Sequence, residues 1–159
     1  MKKNLLKEMN VQINKEIFSA YLYLSMAAYF DNNNLGGFAF WMEKQAEEEM
    51  EHAMKFYHFI NEIGERVVLD AISKPESDFG APVEIFKKVL EHEQYVTSRI
   101  HLLYGMAVEE KDYATQVFLQ WFVEEQVEEE DHASDILEKL KLAGESGNAL
   151  LMLDKVLGE

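Results

Sequence analysis

The sequence predicts an all-α protein: a four-helix bundle with one long crossover between the second and third helices, and a short fifth helix at the C-terminus. Apolar residues recur in steps of three and four through four long stretches, as on the buried face of a helix. The chain has only 2 prolines, which leaves room for long helices. We expect a single domain spanning residues 1–159, with helices at about 5–31, 38–63, 83–110, 113–142 and 148–157.

The first two helices are predicted to form an antiparallel pair. Residues 31–34, Asp-Asn-Asn-Asn, break the first apolar stretch, and Gly36 and Gly37 complete a short turn. The second stretch ends before Gly64, a residue suited to the left-handed backbone that follows many helices. Because the turn is short, the two helices should pack side by side in opposite directions.

The connection between the second and third helices is predicted to run the length of the bundle. Residues 65–81 lose the helical period, and a connection of about 17 residues spans over 50 Å at about 3.3 Å per residue. A 27-residue helix is only about 40 Å long, so the second and third helices can lie parallel. Pro82 suits the first turn of the third helix, and Asp112 is a candidate N-cap for the fourth. The apolar tail at 149–157 should pack into other protein.

The composition limits the possible partners and compartments. The 159 residues include 30 acidic and 15 basic side chains, and this net charge of −15 repels nucleic acid and anionic membranes but concentrates cations. The absence of cysteine excludes disulfides, thiolate zinc sites and Cys-ligated iron–sulfur clusters. Lys7 and Glu8 end the N-terminal apolar run too early for a signal peptide, and no stretch is apolar enough to span a membrane. We therefore expect a cytoplasmic protein with no nucleic-acid or membrane partner.

Polar residues interrupt the apolar faces of all four long helices. Glu49 and His52 are three residues apart, so they project from nearly the same helix face, where the neighbouring residues are apolar. Burying such groups without partners costs several kcal/mol, so a compensating group is expected. The interrupting residues are Glu16 on the first helix, Gln45, Glu49 and His52 on the second, Glu93 on the third, and Gln126 and Glu129 on the fourth.

These interruptions fall at one height in the predicted bundle. At 1.5 Å per residue, Glu16 and Glu49 lie roughly 22 and 19 Å from the turn that joins their helices. Glu93 and Glu129 lie at similar distances from the turn that joins the third and fourth helices, whereas Gln45 lies one helical turn from Glu49. Four carboxylates balance two divalent cations, and oxygen ligands with one imidazole suit iron, manganese or, less specifically, zinc. One Glu-x-x-His pair is common on surface helices, but the level ring favours a dinuclear carboxylate metal site.

The fourth helix offers two candidate patterns. Glu129-x-x-His132 also fits Glu-x-x-His, but His132 is one residue out of phase with the apolar face. Gln126 and Glu129 are in phase with Phe122 and Ala133, so they are the predicted ligands, and His132 should flank the core.

Further polar residues adjoin the predicted site. Glu48, Glu125 and Glu128 lie beside ligand candidates and form either a third, looser metal position or a solvated acidic flank. Tyr23 lies on the apolar face two turns from Glu16, and its buried hydroxyl needs a partner. Met50 is off the apolar face, which leaves open whether it is a packing residue or a haem ligand at a two-fold interface.

At these residues the sequence resembles the ferritins, in particular the bacterial non-haem ferritins. The resemblance extends over almost the whole chain. The Gln-x-x-Glu on the fourth helix distinguishes this family from bacterioferritins, which have Glu-x-x-His there. The resemblance implies Glu16, Glu49 and His52 at one ferroxidase iron. It further implies Glu93, Gln126 and Glu129 at or bridging to a second iron, Glu48, Glu125 and Glu128 with Glu129 at a third, and a role in electron transfer for Tyr23.

The family resemblance also implies a function and an assembly. Ferritins form hollow shells of twenty-four subunits, with the fifth helix near the four-fold axes, and they oxidise Fe²⁺ with O₂ or H₂O₂ and store ferric mineral. We therefore expect an iron-storage ferroxidase. The alternatives are a di-iron oxidase or peroxidase without storage, a haem-binding bacterioferritin-like protein, and a structural helical oligomer whose buried carboxylates are protonated or hydrogen-bonded.

Overall fold

The computed structural model describes all 159 residues and contains five α-helices and no strand, which confirms the predicted fold class. Each helix begins and ends within two residues of the predicted limits. The helices are α1 (Lys3–Asn32), α2 (Gly36–Glu62), α3 (Pro82–Glu109), α4 (Tyr113–Ala143) and α5 (Gly147–Leu157).

The core consists of two apolar clusters, one at each end of the bundle. One cluster takes in the second half of α1 and of α4 together with the first half of α2 and of α3, and it includes Phe30, Phe38 and Phe86. The other takes in the opposite halves of the same helices and includes Phe56 and Phe122. Helices α1 and α4 therefore run in one direction and α2 and α3 in the other, which is the one-crossover topology.

The crossover at residues 63–81 is held along one face of α1. Asn10 donates through Nδ2 to the carbonyl of Arg66 at 3.2 Å and accepts from the amide of Val68 at 2.8 Å. Further along, Asn14 donates to the carbonyl of Ala71, and the Tyr29 hydroxyl bonds to the backbone of Gly80. Side chains of α1 thus bond to the crossover at intervals along most of its length.

The start of α2 differs from the prediction of a glycine turn. Gly36 and Gly37 belong to the first turn of α2, and the chain reverses at residues 33–35 instead. The physical reason lies in α5: the Asp154 carboxylate accepts from the amide of Phe38 at 2.9 Å and so caps the start of α2. A Cβ on Gly37 would lie 1.6 Å from the Asp154 carbonyl oxygen, so glycine lets α5 approach.

Helix α5 packs against α2 and α4 at one end of the bundle and has no buried residue. Leu150, Leu153 and Leu157 pack against the nearer apolar cluster. Met152 and Val156 remain 71% and 60% exposed, which leaves an apolar face available to another protein surface. None of the helices has the length and hydropathy needed to cross a membrane.

Candidate metal centre

A layer of polar side chains separates the two apolar clusters. On each long helix the layer falls at the point where residues of one cluster give way to residues of the other. Its members are buried despite their polarity, each no more than 4% exposed. They are Glu16 on α1, Glu49 and His52 on α2, Glu93 on α3, and Gln126 and Glu129 on α4.

Glu16, Glu49 and His52 form the first cluster of potential ligands, with donor atoms all within 4.8 Å of one another. His52 Nδ1 lies 3.2 Å from Glu49 Oε2 and 3.9 Å from Glu16 Oε2. The His52 ring packs edge-on against Trp121 and Phe122, with centroids at 5.3 and 5.8 Å. These aromatic contacts keep the imidazole turned toward the carboxylates.

Glu49, Glu93 and Glu129 form a second cluster of donor atoms within 4.8 Å of one another. Glu49 belongs to both clusters, so its carboxylate lies where it could bridge two cations. Carboxylates and imidazoles on facing helices are the donor set of di-iron and di-manganese bundle proteins, and this layer supplies the carboxylates with one imidazole.

A third cluster contains His52, Glu125 and Glu129. Glu125 was expected at a third metal position, and the structure brings it to the edge of the layer. Glu48 and Glu128 are exposed and belong to none of the three clusters, so their assignment as ligands stays a prediction. His132 is also exposed, outside the layer.

The carboxylates of the layer have raised pKa values because burial penalises their charged forms. Burial raises the pKa of Glu16 and of Glu49 well above the usual range, and each has another carboxylate beside it that adds to the effect. For the same reasons the pKa of Glu93 is about 7 and that of Glu129 about 9. Protons therefore neutralise part of this layer, and a divalent cation that displaced them would relieve both burial and repulsion.

Tyr23 completes the layer from the side of α1. Its hydroxyl donates a short hydrogen bond to Glu93 Oε1, which is the partner that a buried tyrosine requires. Burial and then the charge of Glu93 raise the pKa of the Tyr23 phenol well above its ordinary value, so the hydroxyl stays protonated.

Gln126 contacts the layer through its amide nitrogen. Nε2 lies 3.1 Å from Glu93 Oε2 and 3.1 Å from Thr97 Oγ1, and it also donates to the Glu93 backbone carbonyl. Thr97 in turn bonds to Glu130 Oε2 at 2.6 Å. Gln126 therefore supports Glu93 in this structure, and its role as a metal ligand stays a prediction.

Several supporting residues escape the sequence pattern. Gln12 bonds to Glu16 one turn away on α1. Hydrogen bonds that cross from one helix to another connect the layer to the other three, which are Thr97, Arg99 and Glu130. Only Gln12 had a visible signal: it lies three residues after Met9 and four before Glu16, in phase with the buried face of α1, as Gln45 precedes Glu49 on α2.

His92 has a partner that the sequence did not indicate. Ser19 donates to the Lys15 carbonyl at 3.0 Å, so the 2.7 Å contact between Ser19 Oγ and His92 Nε2 is a bond in which the imidazole donates. The ring packs edge-on against Tyr23 with centroids 5.9 Å apart. Burial lowers the pKa of His92 to about 4, so this imidazole is neutral beside the carboxylate layer.

An unpaired oxygen is a further sign that these donor atoms suit a metal ion. Glu16 Oε2 is buried and makes no hydrogen bond, whereas almost all buried polar atoms in proteins have a partner. This oxygen faces His52 Nδ1 within the first cluster. A cation at that position would satisfy it.

Comparisons with known proteins agree with this arrangement. A family model described as a Ferritin-like domain matches residues 6–143. The chain is 42% identical to a probable bacterial non-heme ferritin-like protein of Haemophilus influenzae, covering 99% of this chain and 96% of that protein. It is 43% identical to the bacterial non-heme ferritin of Staphylococcus aureus, covering 99% and 95%. An open pore ferritin from the hyperthermophilic archaeon Archaeoglobus fulgidus superposes with a TM-score of 0.98 at 54% identity, covering 99% and 98%.

Proposed function

The chain belongs to the ferritin family, and from this membership we propose that it is an iron-storage ferroxidase. In this proposal the polar layer binds two Fe²⁺ ions as substrate, O₂ or H₂O₂ takes their electrons, and Fe³⁺ leaves for storage as mineral inside a shell. The buried polar layer supports this proposal most directly, because Glu49 belongs to two adjoining ligand clusters there.

The ligands have separate roles in the proposed reaction. Glu16, Glu49 and His52 bind one Fe²⁺, and Glu93 and Glu129 bind the other with Glu49 between them. Because the carboxyl groups hold protons in the absence of metal, binding Fe²⁺ releases protons to water. Each ion then gives one electron to the oxidant, and the increase in charge draws water oxygens toward the pair.

Tyr23 and the third cluster extend this chemistry. Tyr23, hydrogen-bonded to Glu93, can supply a further electron when the oxidant requires more than two ions provide. His52, Glu125 and Glu129 lie at the edge of the layer, where an additional iron could enter or leave, with Glu48 and Glu128 nearby in sequence.

Storage requires an enclosed volume, which one bundle does not provide. We propose assembly into the shell of twenty-four subunits typical of the family, in the cytoplasm. The exposed apolar side chains of α5 support an assembly, since Leu151, Met152 and Val156 remain more than half exposed within the subunit. The net charge of −15 favours the entry and retention of iron cations.

The test compares two histidines that share the Glu-x-x-His pattern. Replacing His52 with alanine should slow the initial oxidation of Fe²⁺ by at least about tenfold, because loss of even an outer partner of a metal ligand costs about 10–100-fold. Replacing the exposed His132 in the same way should leave the rate unchanged. Rapid mixing of anaerobic Fe²⁺-loaded protein with O₂ or H₂O₂ gives the rate.

Two additional measurements separate storage from the other functions. Light scattering should give a particle of about twenty-four subunits that retains ferric iron after gel filtration. A small oligomer that oxidises iron without retaining it would indicate an oxidase or peroxidase, and a Soret band in the purified protein would indicate haem. Equal Fe²⁺ oxidation by the parent and the His52→Ala variant would contradict the assigned site.

A further inference from the structure

A buried amide adjoins the ligand layer without belonging to it. Gln12 on α1 lies one turn before Glu16 and is fully buried. Its Nε2 donates to Glu16 Oε1 at 3.0 Å, and its Oε1 accepts from Arg99 Nε at 3.2 Å. Both ends of the amide are therefore satisfied, as a buried polar group requires.

The orientation of this amide follows from the chemistry of Arg99. A guanidinium group carries only donors, so the amide atom that faces it has to be the oxygen. The nitrogen is then left to face Glu16. Arg99 itself is fixed by Glu8, with Nη1 2.8 Å from Glu8 Oε2 and Nη2 3.4 Å from the Glu8 carbonyl.

The hydrogen bond from Gln12 distinguishes the two oxygens of Glu16. Oε1 is occupied by the amide, whereas Oε2 is buried, has no partner and faces His52 Nδ1 at 3.9 Å. The carboxylate therefore offers a cation one free oxygen in a fixed direction. Rotation of the carboxylate would break the bond to Gln12.

The charges along this path also favour metal binding. A guanidinium in direct contact with Glu16 would compete with a cation for the carboxylate. Here the positive charge of Arg99 is paired with Glu8, and a neutral amide separates it from the ligand. Glu16 is thus held by a hydrogen bond from a neutral group and has no guanidinium paired with it.

We propose that Gln12 and Arg99 are positioning residues that orient Glu16 so that Oε2 binds the cation shared with Glu49 and His52. The identification of that cation as Fe²⁺ rests on the proposed function, but the positioning role applies to any divalent ion. Outer partners of metal ligands typically contribute about 10–100-fold to metal affinity.

The experiment measures Co²⁺ binding under anaerobic conditions, since Co²⁺ stands in for Fe²⁺ and its visible spectrum reports its ligands. Gln12→Leu removes both hydrogen bonds at similar volume and should weaken binding at the Glu16 position by about 10–100-fold. The spectrum of the remaining bound Co²⁺ should change, because Glu16 can rotate. Arg99→Lys keeps the charge but loses the guanidinium fork, and it should weaken binding less.

Gln45→Leu is the matched control. Gln45 is also a buried amide one turn before a ligand, Glu49, but it forms no side-chain hydrogen bond within the protein. It should bind Co²⁺ like the parent and give the parent spectrum. The proposal is overturned if Gln12→Leu and Gln45→Leu behave alike, whether both retain or both lose affinity. If Gln12→Leu does not fold, the proposal is overturned by unchanged affinity in Arg99→Lys.

Failure of the proposed function gives a different result. If the parent does not oxidise Fe²⁺ but Gln12→Leu still lowers Co²⁺ affinity selectively, the protein is not a ferroxidase and Gln12 still positions Glu16. If the parent binds no Co²⁺, both proposals are overturned.

Discussion

At the scale of single residues, the ligand carboxylates depend on neutral donors that hold them without cancelling their charge. Glu93 receives the hydroxyl of Tyr23 on one oxygen and the amide of Gln126 on the other. Both bonds favour the ionised carboxylate and oppose the effect of burial, which leaves the pKa of Glu93 at about 7. This group therefore changes protonation within the physiological range, where cation binding can compete with protons.

Replacing Tyr23 with phenylalanine should raise the pKa of Glu93 above its value of about 7, because the carboxylate loses one donor. Metal binding at pH 7 should weaken, and the pH at which binding is half complete should rise by about one unit, the equivalent of ~1.4 kcal/mol. Anaerobic Co²⁺ titrations between pH 6 and pH 9 measure this midpoint.

Tyr21→Phe is the control for this substitution, because Tyr21 lies on the same helix but is 49% exposed. Its midpoint should match that of the parent. An unchanged midpoint in Tyr23→Phe would mean that the hydroxyl does not stabilise the Glu93 carboxylate.

The sequence predicted Glu16, Glu49, Glu93 and their neighbours because each interrupts an apolar face at a position that helical spacing fixes. It did not predict the bond between Gln12 and Arg99, or the one between Thr97 and Gln126, because each joins two helices. Helical spacing specifies which way a residue points, but not which side chain of a neighbouring helix meets it. The partnership between Ser19 and His92 escaped the sequence for the same reason.

At the scale of elements, α5 and the crossover are both attached by side chains far away in sequence. Asp154 caps α2 at Phe38, and Asn10 holds the crossover at Arg66 and Val68. The glycine pair was predicted as a turn because glycine ends helices in general. The Asp154 carboxylate of α5 caps the helix there, so the glycines are helical instead. The residues around Gly36 and Gly37 give no indication of this cap, because it comes from the other end of the chain.

Gly37→Ala should displace α5, because the new Cβ would lie 1.6 Å from the Asp154 carbonyl oxygen. Backbone amides of Gly147–Leu157 should exchange with deuterium faster, and the particle mass should fall if α5 contributes to assembly.

Gly36→Ala is the control for Gly37→Ala, since a Cβ at Gly36 meets nothing within 4 Å. Both substitutions replace glycine by alanine in the first turn of α2 and should change helix propensity by similar amounts, so their difference isolates the collision. Equal exchange of α5 amides in the two variants would show that the close approach is not required.

Asn10→Ala should loosen the crossover near Val68, because one amide side chain supplies two of its hydrogen bonds. A net loss of about 1 kcal/mol corresponds to roughly fivefold faster hydrogen exchange at the Val68 amide. Asn61→Ala is the control, since the Asn61 side chain bonds only to the Tyr57 carbonyl of its own helix. The prediction fails if Val68 exchanges at the parent rate.

At the scale of the whole molecule, the stability of the metal-free protein is linked to protonation of the central layer. Glu93 and Glu129 have pKa values of about 7 and about 9, whereas unfolded glutamate has a value of 4.5. Above that value the unfolded chain loses protons that the folded chain keeps. The free energy of unfolding therefore falls as pH rises from the unfolded value through the two folded ones.

The Tm of metal-free protein should accordingly decrease from pH 5 to pH 9, and saturating Zn²⁺ should reduce this decrease by replacing the protons. Glu129→Gln should flatten the dependence, because glutamine stays neutral throughout and leaves the remaining surface charge unchanged. Differential scanning calorimetry across this pH range provides the test. A metal-free Tm that rises with pH, or an identical slope in Glu129→Gln, would contradict the linkage.

The two apolar clusters lie on opposite sides of the carboxylate layer and share no residue. A mutation inside one cluster therefore reaches the other through the layer between them or along the four helices that both clusters share. Substitutions that adapt the protein to heat or cold can therefore change the packing of one apolar cluster while the residues of the other stay the same. Either cluster can change in sequence while the residues of the carboxylate layer are retained.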